Sequence, residues 1–159
     1  NMLNYNKELS LNILLLWHKN LFSQTKKDMA GRIRNHGVAI SGSKFVPPSP
    51  AELTPLLDEF FSWYNKSRTK VNPVELAALV HLKFVTIHPF GDGNGRISRL
   101  IMNFVLHKHN YPLLDIPYEN RTSYYNSLER AQTKNNEHIF IQWFIKKYIQ
   151  ENKKYEGNT

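Results

Sequence analysis

The chain contains no cysteine. That excludes disulfides, thiolate metal sites and cysteine nucleophiles together, so any catalysis must use other groups, and it fits a reducing, cytoplasmic setting. No apolar run approaches the roughly 20 residues that a membrane-spanning helix requires, so no membrane role is expected. Acidic side chains are scarce: 13 Asp and Glu against 21 Lys and Arg leave a formal charge of +8. Such an excess suits a polyanion, and nucleic acid, an acidic lipid surface or a nucleotide would each satisfy it. Internal repeats and low-complexity tracts are also lacking. What remains is a chain of 159 residues, 41% hydrophobic and 13% aromatic, long enough for one domain that buries roughly 70% of its unfolded surface. The expectation is a single catalytic core over residues 1–159. Asn1 stands before Met2, which suggests a chain cut from a longer one at its N-terminus.

The periodicity is that of helices. Leu9 to Phe22 is apolar and carries Trp17, which suits a mostly buried helix. Ser49-Pro50-Ala51-Glu52 and Asn72-Pro73-Val74-Glu75 both offer an N-cap, a proline at the first helical position and a capping Glu. The helix from Pro73 to about Ile87 has apolar residues on nearly every side, the mark of a bundle centre. Further helices are predicted over Arg96 to His107, Arg121 to Thr133 and His138 to Asn152. Between Val38 and Val46 the pattern alternates around Ser41-Gly42-Ser43 before Pro47-Pro48 stops it, which reads as a short β-hairpin. The predicted architecture is all-α with one small hairpin.

The chemistry is concentrated in the run from His88 to Arg99, His-Pro-Phe-Gly-Asp-Gly-Asn-Gly-Arg-Ile-Ser-Arg. Gly93 and Gly95 let main-chain N–H groups approach a ligand where the next helix exposes its unpaired amides, which makes an anion cradle. Arg96 and Arg99, on the first turn, can face a multiply charged phosphate chain. Asp92 is the only carboxylate of the run, the usual means of holding Mg²⁺ beside phosphates. His88, near its ordinary pKa of about 6.5, is mostly neutral at pH 7 and can take a proton from an attacking hydroxyl. Together these groups describe phosphoryl or nucleotidyl transfer. A Ca²⁺ loop also begins Asp-x-Asn, but Arg96 stands where its third oxygen ligand belongs.

This run resembles the signature of the Fic (filamentation induced by cyclic AMP) domain family, and every specified position is met. The resemblance extends to Gly31-Arg32-Ile33-Arg34, to Pro47-Pro48, to the Ala77-Ala78 helix and to Tyr124-Tyr125. It implies an all-α Fic-type helical bundle with a β-hairpin flap. It further implies transfer of AMP from ATP to a Ser, Thr or Tyr hydroxyl of a target protein. His88 then resembles the general base and Asp92 the Mg²⁺ ligand. Gly93, Asn94 and Gly95 resemble the anion hole, with Arg96 toward the β-phosphate and Arg99 toward the γ-phosphate, and Phe90 resembles the anchor of the loop. Tyr125 and Gln132 fall where relatives line the adenine pocket. Val38, Ala39, Ile40, Ser41, Gly42, Ser43, Lys44 and Phe45 match the flap, on which a target segment docks as an added strand.

Three alternatives stand beside this reading. Doc-like members of the family phosphorylate their targets and carry Lys where this chain has Gly95, so the glycine favours AMP transfer, and some members also remove AMP at the same site. A nucleic-acid-binding module would use Lys146, Lys147, Lys153 and Lys154, although nucleic acid is not the expected partner. A metal role for the histidines would use His107 with His109, or His81 with His88, but no four-ligand spacing completes it. Many relatives carry an inhibitory Ser/Thr-x-x-x-Glu-Gly/Asn helix whose Glu pairs with the second signature arginine, here Arg99. The C-terminal Asn152-x-x-x-Glu156-Gly157 is the nearest match and lacks the Ser/Thr. A segment lost from the N-terminus is the expected brake, and self-modification is expected without it.

Overall fold

A computed structural model describes residues 6–153. It contains six α-helices: α1 (Leu11–Phe22), α2 (Pro50–Ser67), α3 (Pro73–Ile87), α4 (Asn94–Lys108), α5 (Arg121–Thr133) and α6 (Glu137–Asn152), with a 3₁₀ turn at Tyr118–Asn120 before α5. Both predicted proline starts are present. The Glu52 carboxylate accepts from the Ser49 N–H at 2.7 Å and from its hydroxyl at 2.8 Å. The Asn72 side chain accepts from the Val74 N–H at 3.0 Å. These bonds satisfy donors that a helix start leaves free, each cap contributing about 1 kcal/mol.

α3 is the centre of the molecule. Leu76 to Leu82, Phe84, Val85 and Ile87 are buried, and it packs against α4, α6 and α2, while α5 packs against α6 and α1 against α4. Phe84, Phe90, Phe104, Phe140, Phe144 and Trp17 fill the core, each burying on the order of 150–250 Å². This packing fixes where α3 ends and α4 begins, and the signature run joins the two.

Two expectations are corrected. α4 starts at Asn94, ahead of the predicted Arg96, with Gly93 as N-cap in the left-handed region (φ 84°); the glycine-rich run disguises a helical first turn. The predicted hairpin over 38–46 shows no strand: among the described residues there is none. Residues 32–49 form an extended loop with one turn at Ser41–Gly42, closed by the Ser43 N–H donating to the Ile40 carbonyl at 3.1 Å. Val46 is 80% exposed, so the alternation faces no apolar layer, and a lone two-stranded ribbon is marginal without one.

Candidate active site

The base position is set by the end of α3. His88 is its C-cap in the left-handed region, φ 53° and ψ 56°, a conformation that costs a residue with a β-carbon about 1–2 kcal/mol. Its carbonyl accepts from Arg34 Nε at 2.7 Å, which offsets that strain. The ring Nδ1 lies 3.2 Å from the Val85 carbonyl. A carbonyl only accepts, so Nδ1 carries the proton and Nε2 of the neutral ring keeps its lone pair. Burial pushes the imidazole below its ordinary pKa and the Arg34 charge pushes the same way, against the Val85 bond. Nε2 is therefore free to accept a proton at pH 7.

The loop after His88 is held from inside. Asn94 brackets it reciprocally: the Phe90 N–H donates to Asn94 Oδ1 at 2.9 Å, and Asn94 Nδ2 donates to the Phe90 carbonyl at 2.8 Å. The buried Phe90 ring stacks on His18 at 3.8 Å between centroids. His18 is itself wholly buried. The Gly31 N–H donates to its Nδ1 at 2.9 Å, so Nε2 must carry the proton and donate to the Asp92 carbonyl at 3.0 Å. One neutral imidazole from α1 thus ties the residue 31 turn to the signature loop.

Asp92 is held as a carboxylate. Its Oδ1 accepts from the Gly93 N–H at 2.6 Å, its Oδ2 lies 2.5 Å from Lys26 Nζ, and Arg96 stands 3.5 Å away. The Lys26 bond, with help from Gly93 and Arg96 and against some desolvation, holds its pKa below the usual range. Among the described residues no three His, Cys, Asp or Glu cluster as a metal site. A single carboxylate suits Mg²⁺ that takes its other ligands from phosphate and water, and the half-exposed Lys26 can leave at little cost. The residues present fit that ion.

The anion cradle sits beside this carboxylate. The first turn of α4 closes with the Ile97 N–H on the Gly93 carbonyl at 2.9 Å, which leaves the N–H groups of Asn94, Gly95 and Arg96 without intrahelical acceptors. They point out at the positive end of the helix dipole. The two arginines flank this mouth. Arg96 stacks over Phe22 at 4.8 Å, whereas Arg99 lies over Gly95, where an added β-carbon would meet its Nη1 at 3.4 Å. Arg99 also lines a cavity of about 200 Å³ with Tyr118, Arg121, Tyr124 and Tyr125. Behind it the buried Tyr124 hydroxyl and His81 Nε2 share a 2.6 Å hydrogen bond. Burial, then Arg99, lowers the His81 pKa to about 3, so this pair stays neutral.

Asp92, Gly93, Asn94, Gly95, Arg96 and Arg99 therefore stand together at the start of α4, with Phe90 bonded to Asn94 and His88 at the end of α3. Tyr125 joins them through the Arg99 cavity. Gln132 does not: its side chain donates to the Thr86 hydroxyl at 3.2 Å, and Thr86 lines a separate apolar cavity of about 250 Å³ with Phe60, Trp63 and Ala131. The loop 38–45 is anchored at its stems, as described below. The histidine pairs form no metal site: His81 belongs to the core, and His109 Nδ1 turns to the Val105 carbonyl at 2.9 Å. Glu156 and Lys154 lie outside the described residues. His18, Arg34 and Phe22 were not legible as site residues, because their partners lie 54 to 74 positions away for Arg34 and His18.

The fold is an all-helical one that ends one helix on a histidine, His88, and opens the next with unpaired amides at Asn94 to Arg96. The model of the Fic/DOC family matches residues 8–106, and the chain belongs to that family. It is 39% identical over 125 residues to "Protein adenylyltransferase Fic" of Drosophila virilis, covering 78% of this chain and 25% of the fly protein. Among solved structures, a Fic domain containing signaling protein from Bacteroides thetaiotaomicron matches with a TM-score of 0.83 at 28% identity, over 94% of this chain and 62% of that one. Fic-1 from C. elegans (residues 134–508) matches with a TM-score of 0.82 at 31% identity, over 94% of this chain and 44% of that one. The chain spans about a quarter of the length of the fly relative.

Proposed function

We propose that this chain is a protein adenylyltransferase that moves AMP from ATP to a Ser, Thr or Tyr hydroxyl of a protein target. In this reading His88 Nε2 takes the hydroxyl proton as the oxygen attacks the α-phosphorus, and pyrophosphate leaves. The amides of Asn94, Gly95 and Arg96 receive the phosphate oxygens, with Arg96 on the β-phosphate and Arg99 on the γ-phosphate. Asp92 would hold Mg²⁺, and the ion would supply neutralisation of the charge on the phosphates. Tyr125 lies beside the nucleotide, and residues 38–45 offer exposed main chain to an extended target segment.

The observation that supports the reading is that the short run from His88 to Arg99 carries a neutral imidazole at the end of α3 and, at the start of α4, an ionised carboxylate with three free amides. The adenylyltransferase activity for which the fly relative is named supports AMP as the group transferred. Gly95 supports it over phosphate, because the phosphorylating members that the signature resembles carry Lys at that position. The test is incubation with Mg²⁺ and ATP labelled at the α- or the γ-phosphate. Label retained on protein from the α position is expected; retention from γ alone would assign phosphorylation instead.

A further inference from the structure

Arg34 takes no part in the chemistry above, yet it is a buried cation, 5% exposed. Buried guanidinium groups ordinarily face a carboxylate. Here each of the three side-chain nitrogens donates to a main-chain carbonyl: Nε to His88 at 2.7 Å, Nη1 to His36 at 3.0 Å and Nη2 to Pro48 at 2.7 Å. Its own N–H donates to the Pro89 carbonyl at 3.0 Å. His36 and Pro48 are the two stems of the exposed loop that carries residues 38–45, and His88 is the base.

We propose that Arg34 is a positioning residue that ties the target-docking loop to the base, so that a hydroxyl presented by the loop arrives in register with His88 Nε2. The inference rests on the proposed function. No strand pairing holds the two stems together, and the described main-chain bond inside the loop is the single turn at Ile40–Ser43. The stems are therefore fixed relative to each other through the Arg34 fork. The same fork grips the carbonyl of His88 in its left-handed conformation. A planar guanidinium offers donors at fixed angles and can serve three acceptors in different directions at once, whereas an ammonium offers its donors from one point. Loosening it lets base and loop move independently, and a misplacement of about 1 Å can cost about 100-fold in rate.

The test compares the full chain with Arg34→Lys and Arg34→Met by three readouts: Mg²⁺–ATP affinity by calorimetry, self-modification rate at saturating Mg²⁺–ATP by intact mass, and amide hydrogen exchange. Affinity is expected to stay within about threefold, since no phosphate contact is touched, while the Met variant modifies itself about 100-fold more slowly and the Lys variant falls between. Exchange over residues 36–48 should quicken about tenfold with the helices unchanged. Should the Met variant fail to fold, the Lys variant carries the same comparison. Wild-type exchange over residues 36–48 in the folded variants would overturn the inference, as would ATP affinity lost in step with modification. Failure of AMP transfer itself would show in the wild type, and the exchange comparison would still decide the role of Arg34.

Discussion

Gly93 shows how closely single positions are constrained here. Its φ is +84°, and a β-carbon would stand 2.6 Å from Phe22 Cε2, so the position is strained twice, by backbone and by contact. Gly93→Ala should cost more than about 1 kcal/mol in urea unfolding, and Phe22→Ala in the same chain should return the steric part of that loss while leaving the backbone part. Additive losses would mean that the ring can simply move aside. His18 is constrained by hydrogen bonding. His18→Phe keeps a ring against Phe90 but leaves the Gly31 N–H and Asp92 carbonyl without partners, at about 1–3 kcal/mol for each buried group. A melting temperature equal to wild type would contradict the bridging role. For His88 the sign runs one way: the neutral ring is the active form and burial lowers its pKa. Activity should hold from pH 7 downward past the ordinary histidine value of about 6.5 and fall only as pH drops through the lowered one. An acid limb lying above pH 6.5 would contradict the assignment.

At the scale of elements, what was legible was what neighbours in sequence determine. Ser49, Pro50 and Glu52 carry a helix start within four residues, and Asn72 and Pro73 do the same for α3, whose apolar residues on all sides announce its central place. The signature run was legible because its groups lie between one helix end and the next. The start of α4 was not, because Asn94 and Gly95 have turn composition, and the Ile97 N–H bond to the Gly93 carbonyl is what makes them helical. The alternation at Val38, Ile40 and Phe45 suggested strands; no sheet or helix covers it, and the segment stays a loop. Arg34 was visible only as part of a resembling tetrapeptide, with nothing local to say that its acceptors are His36, Pro48 and His88.

Arg99 lies over Gly95 and against the Tyr124–His81 pair, where it can meet the far end of a triphosphate. Arg99→Ala should weaken ATP binding by about tenfold or more and AMP binding far less, since a charge-assisted hydrogen bond to phosphate contributes about 1.5–3 kcal/mol. Equal losses for the two nucleotides in calorimetric titration would place Arg99 in the fold and not on the γ-phosphate.

For the whole molecule, the formal charge is +8. Lys26, Arg96 and Arg99 stand about the start of α4, whereas Lys147 of the C-terminal basic group is engaged by Asn120 at 2.7 Å. Among the described residues no helix is long and apolar enough to cross a membrane. We propose that the site modifies its own chain, at hydroxyls such as Ser41 or Ser43 on the exposed loop, or Tyr155, which lies outside the described residues. High local concentration would then substitute for docking. A brake supplied by Glu156 would instead show as a severalfold gain in self-modification on Glu156→Gly.

The most direct measurement is the intact mass of the chain and of His88→Ala after incubation with Mg²⁺ and ATP. The account predicts that the wild-type chain gains whole AMP units, while His88→Ala binds Mg²⁺–ATP with similar affinity and gains AMP at least about 100-fold more slowly, the rate a lost general base removes. A chain that gains phosphate in place of AMP, or a His88→Ala variant that gains AMP at the wild-type rate, would contradict it.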